Sequence, residues 1–202
     1  QRSSAFELPW PREVAISNGG DMLAAITPKG RIRLLHTRDG AEAVPSPNLP
    51  PSAQVQRIAF VNKQPMLLTL DTENVVSIFN LRTSIETGER ANGEDLLQIN
   101  SDIAEMWGIS VNKRIYAVLQ TYEEDSTTLI FIPKDLNEEP WTVENLHPYS
   151  TIDPATGNIL EPVKSCGIVE RDMYGKEIKV LRSMPDGNWI SFSNSGVLYR
   201  SS

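Results

Sequence analysis

His36, His147 and Cys166 are the only histidines and the only cysteine of this 202-residue chain, and they bound its chemistry. Two histidines are too few for a convincing metal site, because a structural zinc takes about four nitrogen or sulfur ligands. His36 stands at the end of an alternating strand, Arg31-Ile32-Arg33-Leu34-Leu35-His36, and reads as a structural or surface histidine. Cys166, beside Gly167, reads as a small buried hydrophobe. A nucleophilic thiolate needs a partner base, and none can be placed from the sequence. No His-Glu-x-x-His, Gly-x-Ser-x-Gly, P-loop, Cys-x-x-Cys or EF-hand pattern occurs. The expectation is therefore a chain without catalytic residues, cofactor or metal.

Residues suited to contact are easier to find. Tyr122-Glu123-Glu124-Asp125 is an acidic turn carrying an aromatic ring. It reads either as a solvated loop tip or as a contact loop for a basic partner segment, since inserted loops on rigid scaffolds often carry function. Arg31, Arg33 and Arg38 form a small basic group that reads as an exposed strand face. Trp10 and Trp141 adjoin prolines in connecting regions and are candidate interface anchors, because tryptophan buries much area at low entropic cost. Trp107 and Trp189 occupy strand positions and are expected in the core.

A net charge of −7 argues against a nucleic-acid surface, which needs an excess of Lys and Arg. One cysteine permits no disulfide within the chain, and no Asn-x-Ser/Thr sequon occurs. Both suit a reducing intracellular compartment, cytoplasmic or nuclear. No apolar run approaches the ~20 residues that span a bilayer, and no signal peptide is visible. The chain opens on Gln1-Arg2-Ser3-Ser4 without methionine, which reads as a processed or excised piece.

The elements that must position these residues come from a repeat. Val14 to Ser17, a turn at Asn18 to Asp21, Met22 to Thr27, a turn at Pro28 to Gly30, and Arg31 to Thr37 form the first copy. Ile58 to Val61, Asn62 to Pro65, Met66 to Asp71, Thr72 to Asn74, and Val75 to Leu81 form the second, with every length matched. A looser third copy starts at Trp107 to Ser110, and a last one runs from Val180 to Arg200. A period of roughly 40–45 residues with several short strands marks propeller blades. Ala41 to Pro51, with four prolines, reads as an exposed connection, and Arg82 to Asp95 as another. A helical turn or two is expected within Gly93 to Glu105. A strand-like piece at Ala5 to Pro11 precedes the first copy.

These residues resemble WD40-like repeats. In that family a strand enters a Ser-Pro-Asp-Gly turn, and a later strand closes on Trp-Asp. Ser183-Met184-Pro185-Asp186-Gly187 is similar to the turn, and Val75 to Leu81 to the closing strand, with Phe79-Asn80 in place of Trp-Asp. The other copies have Leu35-His36, Ile132-Pro133 and Tyr199-Arg200 there. No Trp-Asp pair or Gly-His dipeptide occurs, so the family's buried His-to-Asp network is not implied. Ser183 to Trp189 is also similar to the Asp-box of sialidase-like propellers, but the aspartate comes one place late and the threonine is missing.

The resemblance implies an all-β chain, a β-propeller or propeller fragment of about four to five blades of antiparallel strands. Residues 1–202 form one domain, with repeat units near 14–57, 58–106, 107–140 and 141–202. Either the N-terminal strand clasps the C-terminal one to close a small ring, or the chain is an open arc of a larger one. The function expected is a non-catalytic protein-interaction scaffold within a larger intracellular protein or complex. Its partner would be a protein, either a basic segment or further propeller blades, with no membrane and no nucleic acid. The contact residues would be Trp10, Tyr122, Glu123, Glu124, Asp125 and Trp141. The alternative is a propeller enzyme or small-ligand sensor, with residues from several blades converging on the central channel.

Overall fold

The computed structural model describes residues 10–123, 125–163, 167–183, 189–193 and 198–200. Phe6, Leu8, Glu124 and Cys166, the N-terminal clasp and the Met184 to Asn188 turn lie outside the described residues, as does the side chain of Trp189. Eighteen strands and one short helix are present among those described.

Three sheets have four strands each, joined in chain order. The first holds β1 (Glu13–Ile16), β2 (Met22–Ile26), β3 (Ile32–His36) and β4 (Glu42–Val44). The second holds β5 (Val55–Phe60), β6 (Met66–Asp71), β7 (Val75–Asn80) and β8 (Gly93–Gln98). The third holds β9 (Glu105–Val111), β10 (Arg114–Tyr122), β11 (Thr127–Pro133) and β12 (Trp141–Leu146). The fourth has six: β13 (Thr151–Ile152), β14 (Ile159–Val163), β15 (Gly167–Arg171), β16 (Glu177–Ser183), β17 (Trp189–Ser193) and β18 (Leu198–Arg200). Every pairing within a sheet is antiparallel, and β16 pairs with both β15 and β17. The last sequence copy therefore extends the fourth sheet instead of starting a sheet of its own.

The two matched copies fold alike for a local reason. The turn between second and third strands needs a residue with positive φ, which glycine and asparagine tolerate. Gly30 supplies it in the first blade at φ 69°, and Asn74 in the second at φ 59°. Asp71 Oδ1 accepts from the Glu73 and Val75 amides, both at 2.9 Å, and fixes the second turn. The middle strands are as apolar as a two-sided packing requires: Ala24 and Leu68, at equivalent places, are fully buried.

The connections hold more structure than their composition shows. Arg82–Thr87 is a helix, α1, and Gly93–Gln98 is strand β8, so the helix falls before Gly93 and not within Gly93 to Glu105. Gly93 faces Phe79 across the ladder, and a Cβ there would lie 2.7 Å from the phenyl ring. A glycine that looks like a loop marker is thus a seat for an aromatic side chain. The Ala41 to Pro51 stretch likewise contains β4.

Successive blades pack face to face through three cores. Ala24, Ile26 and Leu34 meet Ile58, Leu67 and Phe79 in the first. Ala59, Leu68 and Ile78 meet Met106, Ala117 and Ile132 in the second. Ile109, Val118 and Phe131 meet Ile152 and Ile159 in the third. These contacts shift the third copy by one residue. Sequence lengths set Ile58 against Trp107, but Trp107 packs toward the next sheet as Ala59 does. Because strand side chains alternate, a slip of one exchanges the faces. Gly108 takes the inward place because β5 leaves no room there: a Cβ would lie 2.7 Å from Val61 Cα.

Candidate interaction surface

One end of the third blade presents the acidic turn. The nine-residue strand β10 carries it outward, and Tyr122 pairs with Thr127 at the mouth of the turn. The Glu123 amide donates to the Ser126 carbonyl at 3.0 Å, and Thr127 Oγ1 donates to the Thr121 carbonyl at 2.5 Å. Beneath them the buried amide of Gln120 donates to Thr127 Oγ1 at 3.1 Å and to the Ser150 carbonyl at 3.2 Å. That one side chain ties the turn to the segment leaving β12. A buried amide so satisfied gives the rim a rigid floor.

Tyr122 is 55% exposed above this floor, and Tyr149 is 80% exposed on the neighbouring segment. Glu123 and Asp125 are exposed beside Tyr122. The His147 ring lies 5.6 Å from that of Tyr149, and its Nδ1 accepts from the Tyr149 amide at 3.3 Å. The His147 amide in turn donates to Glu161, which is paired with Arg171 at 2.8 Å. The rim therefore combines two phenols, carboxylates and one imidazole on a braced end. Tyr149 escaped sequence reading; its place between Pro148 and a polar run gave no periodic signal.

The other expected anchors lie elsewhere. Trp10 is 93% exposed ahead of the first blade. Trp141 lies in β12, not in a connection, at the end of that strand away from Leu146 and Thr127. Its indole stacks 5.1 Å from the Phe131 ring and 5.3 Å from that of Tyr174, and Nε1 donates to the Met173 carbonyl at 2.8 Å. The structure thus separates Trp10, Trp141 and the Tyr122 turn into three places. Arg31 donates to the Pro50 and Pro51 carbonyls, so it braces the loop before β5.

A concavity of about 490 Å³ follows the inner edges of β1, β5 and β9. Of the two carboxylates that line it, Glu13 and Glu105, the first is committed: Glu13 accepts from Arg57 Nη1 at 2.8 Å and from the Ile58 amide at 2.9 Å. Neither His36 nor His147 lines it. Among the described residues no three of His, Cys, Asp and Glu gather into a metal-holding group. No helix among them is long and apolar enough to cross a membrane.

No family model matches the chain, and no curated protein is similar to it at a significant level. Solved structures are. The Cps50 (Swd1) β-propeller domain of Myceliophteria thermophila matches at a TM-score of 0.51 and 13% identity, over 94% of this chain and 64% of that one. Hsv2 of Kluyvelomyces marxianus matches at 0.55 and 9% identity, over 93% and 63%. The RRP9 WD40 repeats match at 0.54 and 14% identity, over 94% and 58%. The fold is four blades of a WD40-type β-propeller. The chain spans about three-fifths of the length of the propellers it matches.

Proposed function

We propose that these blades serve as a non-catalytic protein-interaction scaffold within a larger intracellular assembly, and that the third-blade rim takes a basic segment of a partner. The observation that carries this reading is the rim itself: Tyr122 and Tyr149 exposed on a braced blade end, with Glu123 and Asp125 alongside. Exposed aromatics beside carboxylates suit Lys- or Arg-bearing chains, which gain cation–π contact and charge pairing together. Membership of the propeller class supports a scaffold role, since the class holds many binding modules. The single cysteine and the missing sequons support an intracellular setting, cytoplasmic or nuclear.

The test is kinetic. The chain is set against an array of Lys- and Arg-rich peptides at low and high salt, beside a variant with Glu123, Glu124 and Asp125 changed to serine. The variant should fold within about 0.5 kcal/mol of the parent, as exposed loop changes do. Its association rate at low salt should fall by about tenfold, with a flatter salt dependence. Equal rates for the two proteins would sink the rim reading.

A further inference from the structure

The face that blade two turns to blade one changes character along its strands. Leu67 of β6 and Phe79 of β7 lie in the first core. One step of the alternation further, Thr69 stands opposite Ser77, and Ser77 opposite Asp95 of β8, which makes a polar row across three strands. The repeat does not require this row, since blade one carries Ala25 and Arg33 at the places of Thr69 and Ser77. The row opens on a cavity of about 450 Å³, walled on its other side by the connection from blade one, at 48–53. That wall is fixed: the Asn48 amide donates to the Ala91 carbonyl at 2.8 Å, and Asn48 Nδ2 donates to Asn92 Oδ1 at 2.8 Å.

Three carboxylates line this cavity, Asp71, Glu73 and Asp95, and no lysine, arginine or histidine does. Local structure engages them only in part. Asp71 takes the Glu73 and Val75 amides on Oδ1, and Asp95 takes the Ser77 hydroxyl on Oδ1 at 2.6 Å, so Oδ2 of each is left for an outside donor. Thr69 adds an independent observation. It is only 2% exposed and lines the cavity, yet its hydroxyl has no hydrogen-bond partner among the described residues. An interior hydroxyl without a partner destabilises a fold, and a bound ligand that reaches it relieves the cost. Leu49, Val55 and Val75 give the same cavity apolar walls.

We infer that this cavity between blades one and two binds a guanidinium carried on an aliphatic stem. The carboxylates do not gather closely enough for a metal ion to take all three. A guanidinium suits acceptors set apart, because it spreads five N–H donors over a planar fork, where an ammonium offers three from one point. Its head reaches Asp71, Asp95 and Thr69 while the stem lies along Leu49, Val55 and Val75, as arginine stems cover apolar surface elsewhere. The volume falls within the range of about 300–1,000 Å³ that encloses small ligands. The site belongs to blade two and does not rest on the reading of the Tyr122 rim, which belongs to blade three.

Titration of the isotope-labelled 202-residue chain with n-butylguanidinium, and with the capped peptide acetyl-Gly-Arg-Gly-amide, tests this. The amide signals of Thr69, Ser77 and Asp95 should shift, whereas the citrulline peptide, equal in shape but uncharged, should leave them in place. Shifts with both probes would mark a site open to free guanidines, and shifts with the peptide alone would assign it to an arginine of a partner chain. Asp71→Asn with Asp95→Asn keeps both Oδ1 acceptors and should weaken binding at least tenfold. Thr69→Val should weaken it about threefold without lowering the melting temperature, because the hydroxyl it removes has no partner among the described residues. Should the double variant not fold, Glu73→Gln, exposed on its turn, gives the same test with about a threefold loss. No shift from either guanidinium at millimolar concentration, equal shifts from the citrulline peptide, or unaltered affinity in the carboxamide variants would overturn the inference. Binding lost when Glu123, Glu124 and Asp125 become serine, but kept in the Asp71 and Asp95 variant, would place the guanidinium on the blade-three rim. That outcome would overturn this site and uphold the other.

Discussion

The junction between blades two and three and the junction between blade three and the fourth sheet solve one problem with different materials. At the former, backbone meets backbone: the Asn62 amide donates to the Gly108 carbonyl at 2.9 Å, and the side of Gly108 touches Val61. At the latter, side chains and turns take over. Trp141 stacks between Phe131 and Tyr174, and the Asp153–Asn158 turn seats Gly157 against Val111 and Ile109. A backbone contact tolerates no added atom, whereas an aromatic stack can shift and repack. The difference implies a stiff joint at the centre of the chain and a more adaptable one beside the candidate rim.

Gly108→Val is the strongest way to break the comparison. The new Cβ has only backbone to meet, so the change should cost about 3 kcal/mol or more in denaturant unfolding. A loss below about 1 kcal/mol would show that β5 and β9 can slide apart, and the stiff-joint view would fail. Trp141→Ala should cost about 2–3 kcal/mol, below the ~3–5 kcal/mol of a fully buried aromatic, because the indole is only half buried. Hydrogen exchange should then quicken across 151–163 and 167–182 while 55–80 stays protected. Uniform quickening would make the two junctions one cooperative unit.

The junction between blades one and two supplies a third, milder test. Glu13→Ala removes the acceptor for Arg57 and for the Ile58 amide, both only part-buried, and should cost about 1–2 kcal/mol. Glu13→Gln, which keeps an acceptor, should recover part of that in the same unfolding experiment. The smallest effect is set by pH. Thr156 Oγ1 at 2.7 Å and the Ala155 amide at 2.9 Å donate to Asp153 and hold its carboxyl below the usual aspartate range. The folded state thus favours the ionised form. Its contribution is complete above the unfolded aspartate value and disappears as pH falls through the lower folded one. Melting temperature measured between about pH 6 and 2 should fall on acidification, and Asp153→Asn should flatten that slope. An unchanged slope would mean the turn does not brace the fourth sheet through this carboxylate.

How much of this was legible depended on range. The turns at Gly30 and Asn74 and the strands beside them could be read because a positive φ and a period of two are local properties. Strand β8 could not, since Gly93, Glu94 and Asp95 carry a loop's composition and only the Phe79 ring explains the glycine. The acidic turn was visible as an expansion of the repeat, but its neighbour Tyr149 was not. Their association rests on Gln120, whose amide reaches a carbonyl 30 residues further along.

By itself the sequence determined the all-β character, the blade repeat and the burial of Ala24 and Leu68. Strand character and burial follow from residue type and spacing within some ten positions, and the repeat from matching the lengths of such segments along the chain. The tertiary structure alone decided which face of β9 looks forward, that Trp141 locks a junction, and that β16 carries two neighbours. It also left Val14 and Ile16 uncovered while Ile58 and Phe60 are packed. Those outcomes depend on which surfaces remain for a strand once its own hydrogen bonds are made. That is a property of what packs beside it, and the alternation along a single strand is the same whether or not a neighbour arrives.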